Sequence, residues 1–89
     1  MLPCHCPSCQ TSLIVKEMLC EGCSTEVHGR FKLPILAELS VEEQNFVLSF
    51  VKNSGSLKEM AKQLSLSYPS VRNLLDEIIE KIKKLEHHE

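Results

Sequence analysis

The sequence predicts a small α+β fold, a Cys-rich β-hairpin followed by an all-α three-helix bundle, and three observations predict it. All five cysteines of the 89-residue chain, Cys4, Cys6, Cys9, Cys20 and Cys23, fall within its first 23 positions. Short runs of β-branched and aromatic residues lie between a Cys-Pro turn and a Cys-Glu-Gly turn, at hairpin spacing. From Ser40 onward, apolar residues recur at helical spacing behind serine caps. A chain this short buries little surface, so its fold is expected to need help from a metal or a partner chain.

Three stretches follow from composition: a Cys-rich, helix-poor part at 1–31, a linker at 32–39 marked by Pro34, and a helical part at 40–89. No internal repeat or low-complexity tract is apparent. In the first part, 11–16 and 25–31 are expected as strands, each too short to stand alone. In the last part, Ser40-Val41-Glu42-Glu43 has the form of a capping box: the serine hydroxyl accepts from the N–H three residues on, and the glutamate reaches back. Phe46, Val47, Phe50 and Val51 then form one apolar face of a helix over 41–52, which Asn53-Ser54-Gly55 terminates. Ser56-Leu57-Lys58-Glu59 reads as a second capping box and starts a shorter helix with Leu57, Met60, Ala61 and Leu64 on one stripe. After the turn Ser65-Leu66-Ser67, with Leu66 as its one apolar residue to bury, Tyr68-Pro69 opens a long third helix to about Leu85. Proline suits a first helical turn because its missing N–H would have had no helical partner there.

Two constellations carry chemistry. The first is Cys6-Pro-Ser-Cys9 and, after ten intervening residues, Cys20-Glu-Gly-Cys23. Two Cys-x-x-Cys turns facing each other across a hairpin supply four thiolates in the tetrahedron of structural zinc, which makes the N-terminal part a zinc ribbon. A redox dithiol and a pair of disulfides are the competing readings. Four thiolates leave no open position for a substrate, so the metal is expected to be structural. Cys4 reads as a free thiol beside the site, with substitution for Cys6 as the alternative. His5 and His28 read as exposed polar residues, and His87-His88 resembles the remnant of a purification tag.

The second constellation is the pair of helices around the turn. A helix-turn-helix needs a small residue in its first helix, a small or left-handed residue four positions on, and an apolar plug six further. Ala61, Ser65 and Val71 occupy those places, with Met60, Leu64, Leu66 and Leu74 as the surrounding apolar positions. In such a motif the start of the third helix enters the major groove and presents Ser67, Tyr68, Ser70, Arg72 and Asn73. Arginine pairs bidentately with guanine and asparagine with adenine, and the hydroxyls suit phosphates or base edges. Lys58 and Lys62 are placed to meet the backbone of double-stranded DNA. Asp76, Glu77 and Glu80 repel phosphate, which confines contact to the N-terminal end of that helix.

Ten lysines and arginines against twelve acids give a formal net charge of −2, unlike a protein that coats nucleic acid. An adaptor that binds RNA polymerase, a sigma factor or another regulator therefore stands beside the DNA-binding reading. No general base, phosphate loop or open metal position points to an enzyme. The start Met-Leu-Pro-Cys-His-Cys lacks the pattern of a secretory signal and no stretch is apolar enough to span a membrane, so a cytoplasmic protein is expected. Ile78, Ile79, Ile82 and Leu85 extend past the length needed to pack the first two helices, so they are expected to meet the ribbon, the linker or a second copy, the last making a homodimer through the C-terminal helix.

The residues quoted above resemble a prokaryotic family, catalogued as a domain of unknown function, that joins an N-terminal zinc ribbon to a helix-turn-helix similar to region 4 of sigma factors. The resemblance rests on the two Cys pairs, Gly29-Arg30-Phe31, the block from Leu39 to Val47, and Ser67-Tyr68-Pro69-Ser70-Val71-Arg72-Asn73. It departs at Gln10 and Ser65, which stand where the family commonly has glycine. It implies zinc on Cys6, Cys9, Cys20 and Cys23 and a role in transcription.

Overall fold

The computed structural model describes residues 2–87 and divides into two compact units, the first ending at Glu38 and the second starting at Leu39. In the first unit, β1 (Ile14–Leu19) and β2 (Glu26–Lys32) form a two-stranded antiparallel hairpin. Val15 pairs with Phe31, Glu17 with His28 and Met18 with Val27, and the register shifts between Val15 and Glu17. The Phe31 ring lies against Gly29, where a Cβ would sit 2.6 Å from it, so that ring position depends on glycine. Neither strand contains a buried residue, and Leu33 is the buried hydrophobic residue of this unit among those described.

The first strand begins at Ile14 and not at residue 11, because the backbone before it is committed elsewhere. Thr11 O accepts from Cys6 N–H at 2.9 Å, Leu13 N–H donates to Cys4 O at 2.9 Å, and His5 bridges to Ser12. The stretch expected as a linker is ordered: β2 runs into Lys32, Ile35–Glu38 forms a turn of 3-10 helix, and Leu39 belongs to the core of the second unit.

The second unit contains α1 (Val41–Lys52), α2 (Leu57–Leu64) and α3 (Tyr68–His87). The capping box at the start of α1 is complete: Glu43 N–H donates to Ser40 Oγ at 3.2 Å and Ser40 N–H to Glu43 Oε1 at 2.8 Å. Ser56 caps α2 by accepting from Glu59 N–H at 3.2 Å, one half of the capping box expected there. Between them the chain reverses through left-handed Ser54 and Gly55, the latter at φ 79°, and Gly55 N–H reaches back to Phe50 O at 2.9 Å. Asn53 fixes the corner, donating to Ser49 O and exchanging side-chain hydrogen bonds with Gln63 on α2.

The core consists of Leu39, Phe46, Leu57, Met60, Val71 and Ile78, with Met60 and Val71 fully buried. Val47, Phe50, Ala61, Leu75, Ile82 and Leu85 pack against it. Much of the apolar length of α3 is thus used within its own chain, and Ile79 is half-buried. Four expected core positions are not buried: Val51 is 68% exposed, and Leu64, Leu66 and Leu74 lie open at one side of the unit. Val51 falls near the end of α1, where the chain turns away, and Leu66 stands in a three-residue turn with no element over it. Of the tag-like histidines, His87 is in the last turn of α3, and His88 lies outside the described residues.

One ion pair closes the unit. Lys81 Nζ on α3 lies 2.7 Å from Glu43 Oε1, the oxygen that also accepts from Ser40. Partial burial pushes the Glu43 carboxyl up, but Lys81 and the Ser40 donors outweigh it and hold the group below its usual value. A carboxyl with a lowered native pKa stabilises the fold above its unfolded value, and that stability is lost as pH falls through the native one. We expect Glu43→Gln to cost about 1 kcal/mol at neutral pH. Urea unfolding of the variant should also show a shallower loss of stability than the parent on acidification below about pH 4.

Candidate metal centre and nucleic-acid interface

The two Cys-x-x-Cys turns have the same backbone. In the first, Gln10 N–H donates to Cys6 O at 2.9 Å and Cys6 N–H to Thr11 O at 2.9 Å. In the second, Ser24 N–H donates to Cys20 O at 2.7 Å and Cys20 N–H to Thr25 O at 2.8 Å. Gln10 (φ 65°) and Ser24 (φ 63°) are both left-handed, which explains a preference for glycine at these places. The turns form a repeat, Cys-x-x-Cys-x-Thr, at Cys6–Thr11 and Cys20–Thr25. The expectation of no internal repeat missed it because the unit is six residues long, and its signal was the threonine two places after each second cysteine.

Those threonines act on sulfur. Thr11 Oγ1 lies 3.3 Å from Cys9 Sγ and Thr25 Oγ1 lies 3.0 Å from Cys23 Sγ. The hydroxyl and then the backbone N–H of Thr11 hold the Cys9 thiol below its ordinary pKa, and the Cys6 thiol adds to this. Thr25 and Cys20 do the same for Cys23. Ser8 N–H donates to Cys6 Sγ at 3.4 Å. Donors aimed at sulfur favour thiolate, the form that binds metal.

No two of the five cysteines are joined by a disulfide. The donor set fits zinc in number, type and pairing. The sulfurs interact within each pair. Among the described residues, however, the set of three or more potential ligand atoms within 4.8 Å of one another is Glu17, Glu26 and His28. That cluster follows from the register, which sets Glu17 opposite His28; His28 Nε2 lies 3.1 Å from Glu26 and Nδ1 3.9 Å from Glu17, all exposed. Cys4 is used elsewhere: its thiol donates to Ala37 O at 2.7 Å and ties the N-terminal segment to the 3-10 turn. His5 is exposed.

In the second unit, α2 is capped at its C-terminal end by Ser65, which is left-handed (φ 55°), and Leu66 N–H returns to Ala61 O at 3.0 Å. Serine therefore adopts the conformation that glycine would adopt at this turn. Ser67 starts α3, accepting from Ser70 N–H at 3.3 Å and lying 2.8 Å from the Ser70 hydroxyl. Ser67, Tyr68, Ser70, Arg72 and Asn73 are all exposed on the first turns of α3, as are Lys58 and Lys62 on α2. Arg72 Nε is 3.4 Å from Asp76 and Lys62 Nζ is 3.8 Å from Glu59. Exposed pairs of this kind are weak and exchange readily for other partners.

Comparison with known families decides the relationship. The model described as the DUF2089 zinc ribbon matches residues 6–37, and the one described as Domain of unknown function (DUF2089)-HTH matches residues 39–85. The chain belongs to the DUF2089 family. Comparison with curated proteins gives no match, and comparison with solved structures gives none. A zinc ribbon implies zinc binding, and joined to an HTH-labelled domain it suggests a nucleic-acid-binding regulator. Among the described residues of this DUF2089 chain, no helix is long and apolar enough to cross a membrane.

The left-handed backbone at Gln10 generates a test. Gln10→Gly should remove a strained conformation without touching a thiol and stabilise the hairpin unit of the metal-loaded protein by roughly 0.5–1 kcal/mol, read by denaturant unfolding. An unchanged or lowered midpoint would contradict the strain.

Proposed function

We propose that this protein is a cytoplasmic DNA-binding transcriptional regulator with a structural zinc site. The observation that carries the reading is the start of α3, where Tyr68, Ser70, Arg72 and Asn73 stand exposed directly after a left-handed turn from α2. In this reading α2 and α3 act as a helix-turn-helix of the sigma-factor region 4 type, Ala61 allows the close crossing, and fully buried Val71 is the plug. Arg72 exchanges Asp76 for a guanine edge, Asn73 takes an adenine, and Lys58 and Lys62 meet phosphates. Ser67 is occupied with the helix start and contributes position more than readout.

Cys6, Cys9, Cys20 and Cys23 are the ligands in this proposal. Bound zinc supplies a cross-link between the two turns and no reaction, and the reading assigns no catalytic step. Thr11 and Thr25 orient Cys9 and Cys23 and favour their thiolates. A homodimer through α3 would set two reading ends against a two-fold DNA site, although Ile78, Ile82 and Leu85 are already engaged in their own core. A second reading, an adaptor for RNA polymerase, a sigma factor or another regulator, is favoured by one observation: Leu64, Leu66 and Leu74 are exposed beside acidic side chains.

The zinc assignment predicts one zinc per chain by native mass spectrometry and its loss in Cys9→Ser and Cys20→Ser alike. Chelation should collapse the amide dispersion of the hairpin while the helical circular dichroism of the second unit persists. Retention of zinc in either variant would reassign the ligands. For the DNA reading, Arg72→Ala should weaken binding to a selected site by about 1–3 kcal/mol with an unchanged melting temperature. Equal affinity and equal base preference in the folded variant would count against direct readout by α3.

A further inference from the structure

On one side of the second unit, α1, the turn after α2 and the middle of α3 enclose a groove of about 450 Å³. Its apolar surface comes from Phe46, Leu64, Leu66, Leu74 and Ile78. Leu64, Leu66 and Leu74 are 44%, 44% and 37% exposed, whereas the core leucines Leu39 and Leu57 are at 2% and 8%. Three leucines left open side by side cost the folded chain hydration that a partner would relieve.

Acidic groups border this surface. Glu42 and Glu43 from the first turn of α1 and Glu77 from α3 line it, and no lysine or arginine does. Lys81 neutralises Glu43, and among the described residues Glu42 and Glu77 carry no ion pair. The groove is thus apolar in its floor and anionic at its edge, which excludes phosphate backbones and anionic lipid as occupants. A second copy meeting it groove to groove would bring another acidic rim and no lysine or arginine from its own groove lining.

We propose that this groove docks an amphipathic helix of a partner protein, one with leucine-like residues on one stripe and lysine or arginine flanking them. Apolar anchors enter beside Leu64, Leu66 and Leu74, and the flanking cations meet Glu42 and Glu77, in the manner of other helix-in-groove interfaces. The inference rests on the adaptor reading above and specifies the chemistry of its partner. Because Leu66 and Leu74 are close in sequence to the exposed residues at the start of α3, occupation of the groove brings the partner near the end proposed to meet DNA.

The test is an NMR titration of the isotope-labelled, zinc-loaded full chain with two synthetic helices that share one leucine stripe, one flanked by lysine and the other by glutamate. The proposal expects the lysine peptide to bind at least tenfold more tightly, to shift the amides around Leu64, Leu66 and Leu74, and to weaken as salt rises. Leu66→Lys with Leu74→Lys should reduce binding at least tenfold, and Glu42→Lys with Glu77→Lys, both at exposed positions, should reverse the preference between the peptides. Equal binding of the two peptides, shifts centred elsewhere, or no binding of the lysine peptide would overturn the proposal. So would light scattering that shows a dimer dispersed by the leucine substitutions, since that result assigns the groove to a second copy. Retention of purified RNA polymerase by the immobilised parent chain, undiminished by the leucine substitutions, would leave the adaptor reading standing while the groove falls.

Discussion

The hairpin unit has no core of its own, and the rest of its structure depends on that constraint. Neither strand contains a buried residue, and two strands alone bury too little surface to offset the backbone entropy of ordering them. What the segment has instead is two copies of one turn, each with a threonine hydroxyl in hydrogen-bond contact with the second cysteine's sulfur. In the proposed reading, zinc held between those turns does the work that apolar contact does elsewhere. The same economy explains Cys4, whose thiol spans from the N-terminal segment to the 3-10 turn without joining the four paired cysteines.

The helical unit solves the problem differently, with six buried residues and polar ties at its corners. The two surfaces proposed to bind partners derive from how it distributes a limited number of apolar residues. Met60 and Val71 fill the crossing of α2 and α3, which sets the start of α3 outward. The same packing leaves Leu64, Leu66 and Leu74 outside, beside glutamates that suit α1 as first-turn residues and Glu77 on α3. In the proposed reading one end of the unit meets DNA and one side a cationic helix, and the net charge of −2 is an average over both.

Much of this was legible in the sequence because local chemistry decides it. The capping serines and the Asn53-Ser54-Gly55 stop place α1 at Val41–Lys52 and α2 at Leu57–Leu64, as their patterns imply. The cysteine spacing implies the two turns, and Ser65 takes the left-handed conformation its position in the turn demands. The start of β1 was not legible, since Thr11–Leu13 has strand-like composition but is consumed by the turn's own hydrogen bonds. Nor was the exposure of Leu64, Leu66 and Leu74: helical periodicity says which residues share a face, not whether another element covers it. The Glu43–Lys81 pair joins residues 38 positions apart and leaves no local pattern.

The central claim is that a zinc-stabilised chain reads DNA through the start of α3. Selection from a random duplex library at low salt, with the folded, zinc-loaded protein, tests it most directly. The account predicts enrichment of a defined motif containing guanine and adenine at neighbouring positions; absence of any enriched motif from a protein shown to be folded and metal-bound would contradict it.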